Sequence, residues 1–456
     1  MTANPNSLGA RDAATLLHPY TNALENEALG PLVITQGKGC YVYDDAGKKY
    51  LEGMAGLWCA SLGFSNERLA QAAADQIRRL SFFHGFNRKS HEPQIELAER
   101  LLAIAPERMS RVFFANSGSE AADSAIKIIW YYNIARGKPE KKKIVGRVRG
   151  YHGVTVAAAS VTGQPHNHAG FGLPLPGLFV HTDAAHHARG AEPGESEEDY
   201  ATRLAQKLDA LIRAEGPDTV AAFFAEPVMG AGGVLLPPRT YFQKIMPVLK
   251  QHDVLLVADE VITGFGRTGS MWGCETYAIQ PDMVTCAKAL SAAMAPISAV
   301  MMREEIYRTV ARQTGQLGTF GHGFTYSGHP VSAAVAIETL KIYEEMDLVG
   351  RVREIAPHFQ ERLAGFRDHP LAGEVASIGL MGVFEMVRDH STRESFAPAA
   401  KAGLTLVDKA QERGLILRAL GDRIAFCPPL IIERAEIDAM FDTFALALED
   451  ARRVLI

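Results

Sequence analysis

Short, uninterrupted apolar runs recur along this chain with helix-patterned stretches between them, and this alternation limits the fold more than any other feature. "RVFFAN" leads into the helical "SEAADSAIKIIWYYNIAR", and "KIVGRVRG", "VAAFFAEPV", "VLLVADEV" and "DMVTCAKA" follow in turn. A strand that is apolar at every position is buried on both faces, which is the situation in a parallel sheet covered by helices on each side. The pattern therefore predicts an α/β fold with a mostly parallel central sheet. Such sheets place ligands just beyond the C-terminal ends of their strands.

The texture changes outside that block. Before about Gly63 there are short strand-and-turn patterns such as "GCYVYDDAGKKYLEG", with a hairpin turn expected at "DDAG". After "HPVSAAVAIETLKIYEEMDL", read as a long amphipathic helix, the chain continues in mixed helices and strands. The expected organisation is a large domain over 63–329 and a smaller α/β domain assembled from 1–62 and 330–456. At 456 residues, length alone suggests two or three domains of ordinary size.

Composition narrows the functional classes. The chain is 47% hydrophobic and 22% charged, without an apolar run long enough to span a bilayer. The start, "MTANPNSLGARDAATLLHPYTN", does not read as a secretory signal, so a cytoplasmic protein without membrane contact is expected. A net charge of -5 offers no field to gather nucleic acid, and "GKPEKKKIVG" reads as a solvated turn before a strand. Cys40, Cys59, Cys274, Cys286 and Cys427 form no C-x-x-C pair, which argues against disulfides or structural zinc. His181, His186 and His187 of "HTDAAHHARG" lack a ligand partner at helical spacing and read as a surface loop rather than a metal site.

Three stretches end strands, where the fold would put a site. Asp259 follows the apolar residues of "VLLVADEV", and Lys288 stands in the same relation to "VTCAKAL". In "RVFFANSGSEAADSAIK", Ser117, Gly118 and Ser119 precede a helix, so free amides, two hydroxyls and the helix dipole converge where a phosphate could sit. An acid, a lysine and a phosphate seat are what pyridoxal 5'-phosphate requires: a Schiff-base amine for its aldehyde and an anion to keep its ring nitrogen protonated. A carboxylate about 4 Å from that nitrogen contributes roughly 4 kcal/mol at an effective dielectric of 20 but about 1 kcal/mol in water. Asp259 must then sit in a dry place. A buried, unpaired ammonium is also costly, and linkage to a cofactor removes that cost for Lys288.

These stretches, with "GYHG", "EPVMGAGGV", "LLVADEVITGFGRTG" and "GFTYSGHPVSAA", resemble the ordered motif series of the class III, pyridoxal-phosphate-dependent aminotransferases. "GMAGLWC" and "LRALGDRIAFCPPL" are similar to the ω-amino acid (amine):pyruvate transaminase branch. The resemblance implies a fold type I enzyme, working as a homodimer or a dimer of dimers with shared active sites, that moves an amino group from an amine donor to a keto acid, pyruvate above all, by a ping-pong mechanism. It implies Lys288 as the Schiff-base lysine, Asp259 as the partner of the ring nitrogen, and Ser117, Gly118 and Ser119 as the phosphate loop. Tyr151 would stack on one face of the ring and Val261 on the other, with His152 shaping the pocket. Thr325 would reach the neighbouring subunit's phosphate, and Glu226 would lie near the cofactor's hydroxyl side. Tyr20, Trp58 and Tyr151 would wall the substrate pocket, and Arg418 would be a mobile partner for a carboxylate. No metal is implied.

Two departures stand out: Ala289 replaces the usual glycine, and Ala292-Ala293-Met294 replaces a Ser-Gly-Tyr-like stretch. Other readings remain open. A 2-oxoglutarate-linked aminotransferase, a decarboxylase or an aminomutase would share cofactor and lysine, and a pyridoxal-binding protein with little turnover is a further alternative. The "GFGRTG" match to G-x-G-x-x-G does not open a helix, because an aromatic, turn-rich stretch follows it, so a dinucleotide-binding dehydrogenase is disfavoured.

Overall fold

The structure, a computed structural model, describes residues 6–456. Its N-terminal part forms an antiparallel meander of β1 (Ile34–Lys38), β2 (Tyr41–Asp44) and β3 (Lys49–Glu52). The expected turn joins the last two strands. Asp44 Oδ1 accepts from the amides of Ala46 (3.0 Å) and Lys48 (2.8 Å), and Gly47 takes the left-handed conformation at φ +82°.

Seven strands make the central sheet: β4 (Met109–Ala115), β5 (Lys143–Arg147), β6 (Phe179–Thr182), β7 (Val220–Ala225), β8 (Leu255–Asp259), β9 (Met283–Cys286) and β10 (Ser298–Arg303). They lie in the order β4-β10-β9-β8-β7-β5-β6, and only β10 runs against the rest. Strands β7, β8 and β9 are buried at every position. Alternate residues feed two different cores, as a period of two requires. Phe223, Ala225, Leu256, Ala258 and Val284 join one, while Ala222, Phe224, Leu255, Val257 and Met283 join the other. Each fully buried Val, Leu or Phe contributes roughly 1.5–3 kcal/mol.

The C-terminal part adds β11 (Ala372–Ile378), β12 (Met381–Met386), β13 (Leu415–Ile416), β14 (Arg418–Leu420) and β15 (Arg423–Phe426). Four of these form an antiparallel sheet in the order β11-β12-β15-β14. The remaining strand, β13, pairs in parallel with β3, Ile416 opposite Glu52, and so ties the two chain ends into one sheet.

Three local expectations need correction. The helix Pro330–Glu345 is buried on most of its circumference rather than on one face, because it packs against Glu67–Leu80, Glu92–Ile104 and the turn carrying Lys288. His181 lies on β6 and His186 is buried with Nε2 2.7 Å from Glu374, so the histidine-rich stretch is not a surface loop. In the lysine cluster, Lys141 is buried, its ammonium donating to the carbonyls of Pro217 (3.0 Å) and His252 (2.9 Å). A fixed pair of acceptors there replaces water. No helix among the described residues is long and apolar enough to cross a membrane.

Candidate active site

Parallel strands share a direction, so residues at their C-terminal ends share an edge. Asp259 ends β8, Glu226 follows β7, Tyr151 and His152 follow β5, Lys288 lies just past β9, and Ser117 just past β4. The backbone pairing of Asp259 with Thr285, three residues before Lys288, brings acid and amine to neighbouring strand ends.

Asp259 is gripped twice. Its Oδ2 lies 2.7 Å from His152 Nδ1, and its Oδ1 accepts from the Val261 amide at 3.1 Å. The carboxylate is 6% exposed, which supplies the dry setting that a strong pairing with a ring nitrogen needs. His152 is therefore more specific than the pocket-shaping residue of the sequence reading, since it orients the acid. Its other ring nitrogen, Nε2, is buried without a partner among the described residues.

Lys288 is half-buried, and its amine has no hydrogen-bond or ion-pair partner among the described residues. Burial pushes its pKa down, opposed by the charges of Asp259, Cys59, Glu226 and Cys427. A lowered amine pKa enriches the neutral, nucleophilic form. Glu226 accepts from the amides of Tyr151 (2.9 Å) and Gly230 (2.9 Å), and burial pushes its pKa up.

Ser117, Gly118 and Ser119, expected to seat a phosphate, lie at the start of a helix. Ser117 caps the helix Gly118–Ala135, its Oγ accepting from the Glu120 amide at 3.2 Å. The amides of Gly118 and Ser119 have no partner among the described residues, so two donors at the positive end of the helix dipole stay available. A Cβ at Gly118 would stand 3.1 Å from Val261 Cγ1, so the absent side chain lets the seat approach the residue that also braces Asp259. Ser119 Oγ accepts from the Val154 amide at 3.0 Å, which joins the seat to the loop bearing Tyr151 and His152. The seat, the gripped acid, the partnerless amine and the orphaned His152 nitrogen fit pyridoxal phosphate.

The residues expected on the substrate side come from distant segments of the chain. Because Glu52 pairs with Ile416, the segment that leads from β3 to Trp58 starts beside the one that leads from β13 to Arg418. Tyr20 donates to Asn167 Oδ1, and Arg418 lies close enough to Tyr151 and Tyr20 for both to act on its charge. Burial pushes the Arg418 pKa down, and its guanidinium has no hydrogen bond or ion pair among the described residues. Trp58 is 3% exposed, on a turn with left-handed φ at Ala55 (+47°), Gly56 (+66°) and Trp58 (+65°). For Ala55 and Trp58 such angles cost about 1–3 kcal/mol each, and they persist only where surroundings impose them.

Thr325 is exposed and not brought to this chain's own site; it lies in the loop where Tyr326 and His329 meet Phe82. At the departures from the motif pattern, Ala289 is not left-handed, so its Cβ causes no strain of that kind. Its carbonyl accepts from the Tyr343 hydroxyl at 2.6 Å, which braces the lysine turn. The left-handed residues are Lys288 (+45°), Ala292 (+47°) and Ala293 (+68°).

Sequence reasoning missed Glu260, which points to the opposite side from Asp259. Fully buried, it accepts from Thr263 Oγ1 (2.5 Å) and from the amides of Gly273 (2.9 Å) and Cys274 (2.6 Å). The signal was present in "ADEV", since neighbours at a strand end face opposite ways. The glycines of "GFGRTG" lie in this turn, where Arg267 donates to the carbonyls of Leu380 (3.1 Å) and Pro428 (2.7 Å). They open no helix there.

Comparison with known proteins agrees with this geometry. The family model described as "Aminotransferase class-III" matches residues 23–448. The gamma aminobutyrate transaminase 3, chloroplastic, of Solanum lycopersicum is 48% identical over 95% of this chain and 84% of its own. The crystal structure of the omega transaminase from Pseudomonas jessenii in complex with PMP superposes with a TM-score of 0.97 at 51% identity, covering 99% of both chains. A thermostable omega transaminase variant, W58G, engineered for asymmetric synthesis of enantiopure bulky amines, matches with the same TM-score and identity over 99% of this chain and 100% of its own. With a fold type I architecture and a site built for pyridoxal phosphate, this chain belongs to the class III aminotransferases.

Proposed function

We propose that this enzyme moves the amino group of a primary amine or ω-amino acid to pyruvate in two half-reactions. The observation that carries the reading is Arg418: a half-buried guanidinium without an ion pair among the described residues, close to Tyr20 and Tyr151. A desolvated guanidinium favours a carboxylate, and its planar fork can hold one through two bonds. A pocket that must also take an uncharged amine needs this group to swing aside, and the lack of a fixed partner permits it. The resemblance to enzymes named for gamma aminobutyrate and to one engineered for bulky amines supports both donor classes.

When bound, pyridoxal phosphate supplies an electrophilic carbon and a sink for the electrons of the bond that breaks. The protein's part is placement and proton transfer. The amides of Gly118 and Ser119, with the hydroxyls of Ser117 and Ser119, hold the phosphate. Asp259, steadied by His152, presents its anion to the ring nitrogen. Tyr151 and Val261 would confine the ring between them, and Glu226 fixes the Tyr151 backbone. Lys288 Nζ would take the proton from the substrate carbon as general base and, as general acid, deliver it to the carbon that had been the cofactor's aldehyde. Tyr20 and Trp58 bound the substrate pocket.

The exposed Phe82, Phe86 and Tyr326 cluster around Thr325's loop, and burying this apolar surface against a second copy supports a homodimer in which Thr325 serves the neighbouring phosphate seat. We place the domain divisions at 62/63 and 329/330 and the enzyme in the cytoplasm. The deciding experiment follows alanine formation from pyruvate, and glutamate formation from 2-oxoglutarate, against a panel of amine and ω-amino acid donors. Alanine formation at the higher kcat/KM is expected; turnover with 2-oxoglutarate alone refutes the reading.

A further inference from the structure

We propose that Glu52 is a positioning residue for Trp58: its buried carboxylate holds the left-handed turn that sets the tryptophan ring against the substrate. The inference rests on the reading of Trp58 as a pocket wall and deepens it into a source of amine specificity.

Glu52 ends β3 and is 3% exposed, yet no ion pair involves it among the described residues. A buried carboxylate without a cation needs another reason to be there. Its Oε2 accepts a short hydrogen bond from the Gly56 amide, in the middle of the turn that contains the three left-handed residues. The Trp58 amide closes the same turn on the Met54 carbonyl at 2.9 Å. The thiols of Cys59 and Cys427 lie close enough to this carboxylate for its charge to act on them.

The anchor itself is rigid. The Glu52 amide donates to the Cys40 carbonyl (2.9 Å) and the Gly53 amide to the Ile416 carbonyl (3.0 Å), while the Gly53 carbonyl accepts from the Cys427 amide (2.7 Å). A Cβ at Gly53 would lie 2.7 Å from Leu417 Cδ2, so the segment is also packed tightly against the approach to Arg418. A fixed acceptor on a paired strand, bonded to the centre of a strained turn, sets where the next large side chain points. Without the acceptor, the Gly56 amide would be unsatisfied and the turn would relax toward ordinary angles, moving Trp58.

The test uses the holoenzyme with Glu52→Leu, which keeps the size but not the acceptor, and Glu52→Gln, which keeps an acceptor oxygen. Two readouts are taken: the ratio of kcat/KM for isopropylamine to that for 1-phenylethylamine, and amide hydrogen exchange over residues 53–60. E52L is expected to move the ratio toward that of W58G by about tenfold and to speed exchange at least about fivefold. E52Q is expected to stay within about twofold on both, and E52L added to W58G to change the ratio by less than about twofold. The proposal is overturned if E52L leaves ratio and exchange unchanged, if E52Q behaves like E52L, or if E52L acts equally in the W58G background. Should W58G itself leave the ratio unchanged, the wall reading fails and the inference falls with it; a W58G effect without an E52L effect defeats the inference alone. If E52L does not fold, Glu52→Asp, shorter by one methylene, is expected to shift both readouts in the same direction, and its lack of effect overturns the proposal.

Discussion

Replacing Asp259 with asparagine removes one charge and almost nothing else. The side chain keeps its volume, an oxygen can still accept from the Val261 amide, and His152 still has a neighbour at its Nδ1. What disappears is the attraction between a carboxylate in a site 6% exposed and the protonated ring nitrogen. At about 4 Å and an effective dielectric of 20, that attraction is roughly 4 kcal/mol, equivalent to about three pKa units on the nitrogen. If the whole of it acts on the barrier, the half-reaction slows by about 10³. We expect a fall of about 10²–10³ in the single-turnover rate with amine, read by stopped-flow absorbance, with cofactor still bound and thermal stability nearly unchanged. A loss of less than about fivefold in a fully loaded variant would refute the electrostatic argument, because a wet carboxylate is the arrangement worth only about 1 kcal/mol.

Lys288→Ala should abolish the borohydride-trapped protein–cofactor adduct measured by intact mass; an adduct that survives places the linkage elsewhere. Arg418→Ala should slow the pyruvate half-reaction by at least about tenfold while slowing an uncharged amine by less than about threefold, since only the keto acid brings a carboxylate; equal losses contradict a switching role. Burial lifts the Glu52 pKa from 4.5 to about 7. The folded state therefore binds that proton more tightly than the unfolded one, and stability is expected to fall as pH rises between those values, by up to roughly 3 kcal/mol. Glu52→Gln should flatten this slope in denaturation series from pH 5 to pH 8, and an unchanged slope would show that another group sets it.

The fate of individual residues shows how far local pattern reaches. Asp259, Lys288 and Glu226 could be placed at one edge before any coordinates, because runs apolar at every position mark strands covered on both faces, and parallel strands end on the same side. Ser117 and Gly118 were legible because capping is decided within one helical turn. His152 was recognised by position only; its bond to Asp259 spans 107 residues and no periodicity announces it.

The sequence by itself determined the layered α/β architecture and the meeting of an acid, a lysine and a helix start at one edge of the sheet, since each follows from local pattern plus one rule about parallel strands. Only tertiary structure decided that Ile416 lies beside Glu52, that the segment leading to Trp58 therefore starts next to the one leading to Arg418, and that Glu260 turns away to pin a loop. These are pairings between segments far apart in the chain. The choice among them is made by packing and hydrogen-bond satisfaction across the whole core, which a single stretch of residues does not encode.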